Sequence, residues 1–352
     1  KTSIIVFEGK VVASNSAGEV GLTSGQSAVA EQGKAPVMRT VVSPRDAVRW
    51  ALYYPPVIDG TDPDASINQA AQLLGVGRVD EATTILQQIP QDSSALALMS
   101  TIAVVRNDRQ KAIELADQAV AADPGSATAM IAQSYSRQAS FDLEGARQSL
   151  EKAVELEPDN ALALARLAEI YSSFGELTMA VETAERAVAI APNLSRTRTV
   201  LGFAYLTQIK TAEARDAFNR AIELDQADSL PRLGLGLATI RDGELEEGRQ
   251  QIEIAASLDP NSSIVRSYLG KAYFEEKRAD LDGREYAIAK ELDPNDPTPW
   301  FYDAIRKQTE NRPVEALHDL ETANELNDNR AIYRSKLLLD SDLAARSASL
   351  AR

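Results

Sequence analysis

Proline recurs along this chain at a spacing that a single globular core has no reason to impose. Pro124, Pro158, Pro192, Pro260 and Pro294 stand 34, 34, 68 and 34 residues apart, with Gln226 in the gap and Asp328 another 34 on. With repeats counted from 93, 127, 161, 195, 229, 263 and 297, position 27 is always alanine: Ala119, Ala153, Ala187, Ala221, Ala255, Ala289 and Ala323. Position 8 holds Ser100, Ser134, Ala168, Gly202, Gly236, Gly270 and Ala304, and position 20 holds Ala112, Ala146, Ala180, Ala214, Gly248, Asp282 and Ala316. Small side chains let two helix backbones approach closely. Each unit therefore reads as a helix A, a turn and a helix B, with the proline at position 32 stopping helix B. Asp282 breaks the small-residue rule and predicts a disturbed register around Lys277–Gly283. Leucine recurs at position 7 (Leu167, Leu201, Leu235, Leu269) and tyrosine at position 11 (Tyr171, Tyr205, Tyr273).

A 34-residue helix–turn–helix unit with this pattern resembles the tetratricopeptide repeat, and the resemblance spans residues 63–330. It implies an all-α superhelical solenoid of eight helix pairs, each stacking on its neighbours. The first unit, 63–92, has a clipped second helix because Pro90 arrives early. After 330 the run Ala331–Leu339 breaks phase, and Arg346–Arg352 reads as the first helix of a further repeat. The expectation at that end is an apolar stacking surface that some neighbour covers.

Composition shifts at the front. Residues 1–60 carry 6 Lys/Arg against 5 Asp/Glu, whereas the remainder carries 31 against 47, and the boundary falls near 43–62. Residues 1–42 read as short strands: Ile4–Phe7 and Lys10–Val12 about a hairpin-type break at Glu8-Gly9, then Glu19–Thr23, and Ala28-Val29 after a turn at Ser24–Gln26. Strands this short need a partner to form a core. The segments Glu8-Gly-Lys-Val11 and Leu22-Thr-Ser-Gly-Gln26-Ser-Ala-Val29 resemble the tail of a FecR-type domain, a β-rich module of the bacterial envelope. Ser43–Pro56 resembles the junction that fuses such domains to helical repeats, with Ser43 and Pro44 starting a helix that Pro55-Pro56 ends. Trp50, Tyr53 and Tyr54 there read as an apolar lid on the first repeat, with ligand stacking as the alternative. The chain opens at Lys1 within a strand pattern and without Met, which reads as a processed or excised piece.

The chemistry of catalysis is hard to find. There is no Cys and a single His, His318, which argues against thiolate or His-rich metal sites and against Ser-His-Asp or Cys-His engines. A net charge of −15 argues against phosphate-backbone binding, and no apolar run approaches a membrane span. Gly234 and Gly236 make a GxG within a helix that follows no strand, a poor dinucleotide signal. Ser149-x-x-Lys152 lies on an ordinary helix B without companion motifs. Asp59, Asp62 and Asp64 form an acidic loop that lacks the ligand spacing of a calcium hand. No enzyme, cofactor or metal is expected.

What remains is surface. Stacked A helices line a concave groove at positions 2, 5, 9, 12 and 13. Chaperone-binding repeats grip a carboxylate with Lys and Asn at positions 5 and 9. Here those places hold residues such as Ala97 and Thr101, Ile131 and Tyr135, Thr199 and Phe203, so that clamp is absent. Apolar residues take over: Ile131, Tyr135, Phe203, Leu206, Leu233, Leu237, Ile240, Phe274, Phe301 and Ile305. One reading has them packing sideways between A helices; the sharper one makes them the contact surface for a polypeptide laid in the groove. The expected function is a non-enzymatic scaffold with a protein or peptide partner, in the bacterial envelope (periplasmic or extracellular) on the FecR resemblance. The alternative is a structural protein assembling head to tail with its own copies, through unpaired strands at one end and an open repeat at the other.

Overall fold

A computed structural model describes residues 2–5, 10–23, 26–30, 33–40, 55–58, 62–75, 78–106, 108–140, 142–294 and 296–326. The expected helix over 43–54 with Trp50, Tyr53 and Tyr54, the loop residue Asp59, and the irregular end 331–352 lie outside them.

The front is built of strands β1 (Thr2–Ile5), β2 (Lys10–Asn15), β3 (Gly18–Thr23), β4 (Gln26–Ala30) and β5 (Val37–Thr40). The expected hairpin about Glu8-Gly9 is corrected: β1 pairs antiparallel with β4, with Ile4 opposite Ala28, and β2 folds back on β3 instead. The turn that wins is at Ser16-Ala17, where the Asn15 carboxamide accepts from the Ala17 amide at 2.8 Å and donates to the Lys34 carbonyl at 2.7 Å. That side chain gives the backbone a local partner of its own. β5 joins the far side of β4, giving a three-stranded sheet and a separate two-stranded one. Ala13, Leu22 and Ala28 form its small buried cluster, with Val20 against it.

Eight helix pairs follow among the described residues. They are α1 (Ala65–Gly75) with α2 (Val79–Leu86), α3 (Ser93–Val105) with α4 (Arg109–Ala122), α5 (Ala127–Ala139) with α6 (Leu143–Leu156), and α7 (Ala161–Phe174) with α8 (Leu177–Ile190). The second half continues with α9 (Ser195–Thr207) and α10 (Thr211–Leu224), α11 (Ser229–Arg241) and α12 (Leu245–Leu258), α13 (Ser263–Glu275) and α14 (Ala279–Leu292), then α15 (Pro297–Thr309) and α16 (Pro313–Glu325). This is the helical solenoid that the 34-residue period predicts.

Three periodic devices punctuate it. At position 34 a polar side chain caps the next A helix: Asp92, Ser126, Asn160, Asp228, Ser262 and Asp296 each accept from an amide of its first turn. Leu194 is the exception. At position 15 the backbone turns left-handed in five successive repeats, at Gly175 (φ 79°), Ile209 (62°), Gly243 (96°), Lys277 (60°) and Asn311 (58°). Only glycine takes that conformation without penalty; the β-branched Ile209 pays about 1–2 kcal/mol. At position 27 all seven alanines are buried, and in every repeat but the last described one helix B ends where an amide, as at Asp123 to Ala119, bonds back to that alanine's carbonyl.

The helix crossings explain the small residues. A Cβ added to Gly236 would lie 2.6 Å from the Gly248 carbonyl oxygen, and one added to Gly248 would lie 2.6 Å from that of Gly236. Gly202 and Gly234 form a notch for the Phe218 ring, and Gly270 does the same for Tyr286. The GxG of the sequence is thus packing, not a nucleotide loop. Asp282 does not disturb the register: α14 starts where its repeat requires, and the buried carboxylate sits 4.0 Å from Arg306.

Asp296 is fully buried between the Ser263 hydroxyl (2.8 Å) and the Thr298 amide (2.9 Å). Burial, aided by Asp293, pushes its carboxyl up to about 6 against the pull of those donors. A carboxyl raised on folding contributes stability at low pH that is lost as pH climbs through the raised value. Asp296→Asn, which keeps the cap acceptor, is expected to gain about 1–3 kcal/mol over the parent above pH 7 and to lose that advantage by pH 4, read by thermal melting across pH. Gly248→Ala meets backbone that cannot retreat and is expected to cost roughly 1–3 kcal/mol in urea unfolding.

Candidate functional site

Most A helices touch the next A helix, as α3 touches α5 and α7 touches α9, with little contact between α11 and α13, whereas the B helices pack on flanking A helices. A stack with closer A helices curves toward them, so they line the inner face. The inner positions are nevertheless crowded. Ile131, Leu206 and Leu233 are fully buried, and Phe203 and Phe301 are nearly so. These five side chains fill the space between helices, so replacing them tests folding rather than recognition. Tyr135, Leu237, Ile240, Phe274 and Ile305 are half-buried and keep accessible surface. The large apolar side chains that stand most exposed lie elsewhere, among them Val12, Ile209 and Val314.

The inner face divides into two chemically different halves. Along α5, α7 and α9 a polar cluster sits among apolar side chains such as Ile131, Phe203 and Leu206. The Arg166 guanidinium lies over the Tyr135 ring at 3.9 Å, donates to Glu169 at 2.9 Å and bonds the Gln138 carbonyl oxygen. Arg196, one repeat on, donates to the other Glu169 oxygen. Glu169 therefore ties α7 to α9 while holding two arginines. Burial, set against the charges of Arg166 and Arg196, pushes the Tyr135 phenol up. The i,i+3 spacing of Arg166 and Glu169 was a readable signal. Arg196, 27 residues from Glu169, becomes its partner only through the stacking of repeats.

From α11 onward the face is apolar. Leu237 and Ile240 on α11, Phe274 on α13 and Ile305 on α15 are half-buried on three successive A helices, above the buried Phe203, Leu206, Leu233 and Phe301. Lys271 stands beside Phe274's turn, 3.2 Å from Glu275 and 5.8 Å from the Tyr302 ring centre.

The remaining sequence candidates find other employment. Ser149 donates to Gln133 at 2.8 Å, while Lys152 pairs with Glu155 at 2.9 Å, so the two do not form a catalytic pair. His318 is exposed on α16. Asp62 accepts from the Asp64 amide and the Ser94 hydroxyl at one end of an open cavity near Asp92 and Asp123. Among the described residues no group of three or more His, Cys, Asp or Glu is placed to hold a metal ion, and no helix is long and apolar enough to cross a membrane.

Comparison with known proteins points the same way. Tetratricopeptide-repeat family models match residues 137–202 and 233–297. Among solved structures, the Cut9–Hcn1 hetero-tetramer of the APC/C aligns over 80% of this chain and 57% of its own, at 17% identity and a TM-score of 0.63. This chain therefore spans somewhat over half of that protein. A tetratricopeptide repeat protein of Parabacteroides merdae aligns over 69% of this chain and 98% of its own, at 16% identity and a TM-score of 0.51. The human IFIT1 dimer with PPP-AAAA aligns over 74% of this chain and 72% of its own, at 14% identity and a TM-score of 0.54. At these identities the likeness is one of fold. Among curated proteins, none matches the chain. The fold is a tetratricopeptide-repeat solenoid, typically a non-enzymatic scaffold for protein partners.

Removing Glu169 would leave Arg166 buried without its carboxylate. Glu169→Ala is expected to lower stability by roughly 3–5 kcal/mol in chemical denaturation, far more than an exposed pair such as Arg220–Glu223 would cost.

Proposed function

We propose that this chain is a protein-interaction scaffold whose polypeptide partner lies along the C-terminal half of the inner face. The observation that carries the reading is the strip of Leu237, Ile240, Phe274 and Ile305, apolar and half-buried on three successive A helices. An amphipathic helix or an extended strand buries its apolar residues in such a groove. At ~25 cal/mol per Å² of apolar surface, four side chains of this size supply several kcal/mol toward offsetting the cost of association. The polar half, with Arg166, Glu169 and Arg196 satisfying one another, acts as the rigid shoulder of that groove. We assign the protein to the bacterial envelope on the resemblance of its first forty residues to FecR-type tails; fractionation of cells with antibody against the chain tests that assignment.

A second reading is self-assembly, favoured by Val11 and Val12 exposed on β2 and by Val314 and Leu317 exposed on α16. One experiment separates them. A photo-cross-linker at position 274 in the full chain is expected to yield a partner adduct in cells, and the triple variant Leu237→Ser, Ile240→Ser, Ile305→Ser to lose it while helicity is retained. A cross-linked species of twice the chain's own mass makes the partner another copy. An adduct pattern unchanged by the triple variant removes the groove from the function.

A further inference from the structure

Four repeats place leucine at position 7, and Leu167, Leu201, Leu235 and Leu269 are all buried. The last described repeat has Asp303 there, and at position 11, where Tyr171, Tyr205 and Tyr273 stand in others, it has Lys307. These substitutions are answered from both sides. Lys290 on α14 reaches Asp303 at 2.7 Å and Asp319 on α16 at 3.1 Å, and Lys307 reaches Asp319 at 2.6 Å and Asp303 at 3.1 Å. Two lysines and two aspartates thus alternate in a closed ring across three helices, with no side chain more than 15% exposed. Arg306 reinforces Asp303 at 2.7 Å and reaches Glu310 and Asp282, while the Lys290 ammonium lies 4.2 Å from the Trp300 ring centre. Burial pushes the Asp303 carboxyl up, but Lys290 and Arg306 overcome it and hold it at about 2, so Asp303 keeps its charge throughout the neutral range.

The energetics of such a ring differ from those of a leucine contact. Desolvation of four charges offsets most of their attraction while the ring is whole, but removing one member strands a buried charge. We propose that α15 and α16 form a unit that leaves the stack in one piece and that completeness of this ring, more than apolar contact, decides whether the unit stays docked. α15 carries Phe301 and Ile305, so undocking also shortens the apolar strip of the inner face. Ring contacts of Tyr302 with Tyr268 on α13 and Tyr286 on α14 hold α15, whereas among the described residues it is Lys290 that ties α16 back to α14 by an ion pair.

Hydrogen exchange of the full chain, followed by mass spectrometry of its peptides, tests this without any partner. Lys290→Met is expected to speed exchange in 297–325 by about 100-fold while leaving 127–258 unchanged. Lys290→Arg, which keeps the charge, is expected to retain protection. A fourfold replacement, Lys290→Met, Asp303→Leu, Lys307→Tyr and Asp319→Leu, exchanges the whole ring for apolar side chains, with the leucine and tyrosine that other repeats use at 303 and 307, and is expected to recover protection to within about tenfold of the parent. Unchanged exchange in Lys290→Met, loss spread evenly along the solenoid, or an arginine variant as loose as the methionine one each overturns the proposal.

Discussion

The close approach of helix A to helix B is the constraint on which the rest of this structure depends. Gly236 and Gly248 bring two backbones so near that a single methyl group would strike a carbonyl, and Phe218 and Tyr286 seat in notches that only glycine leaves open. Once each pair is that thin, the next pair can stack one repeat on, with the invariant alanine of position 27 buried in every repeat. Curvature follows from the same geometry, because most A helices touch the next one while the B helices are spread apart.

That crowding also decides what the inner face can offer. An apolar side chain at an inner position is first a packing element, and Ile131, Leu206 and Leu233 have no surface left for a partner. Accessible surface remains at Tyr135 and, in the C-terminal half, at Leu237, Ile240, Phe274 and Ile305. In the other half the inner face carries a polar cluster, where Glu169 sets its charge between two arginines of the chain itself. The groove is therefore closed chemically at one end and open at the other.

Charge is used differently at the two buried clusters. Arg166, Glu169 and Arg196 sit beside an otherwise continuous apolar core and fix the relative setting of α7 and α9. The Lys290, Asp303, Lys307 and Asp319 ring replaces the leucine and tyrosine that other repeats place at that joint. A leucine contact weakens gradually as it is trimmed, whereas a buried ring of ions is whole or costly, which gives the last described repeat a docking condition the others lack.

The sequence by itself determined the repeat, because position 27 and the crossing positions are constrained by backbone proximity that side-chain size alone reports. Candidates that lacked companion motifs in the sequence have other partners in the fold: Ser149 bonds Gln133, Lys152 pairs with Glu155, and Gly234 and Gly236 make room for close packing. The sequence misjudged the front, since strand pairing depends on which turn closes, and Asn15 settles that through its own side-chain bonds. Only the tertiary structure decided which inner residues are buried, because exposure at a groove position depends on how near the next A helix comes. It alone joined Glu169 to Arg196 and Lys290 to Asp319, pairs 27 and 29 residues apart whose contact exists only once the repeats are stacked.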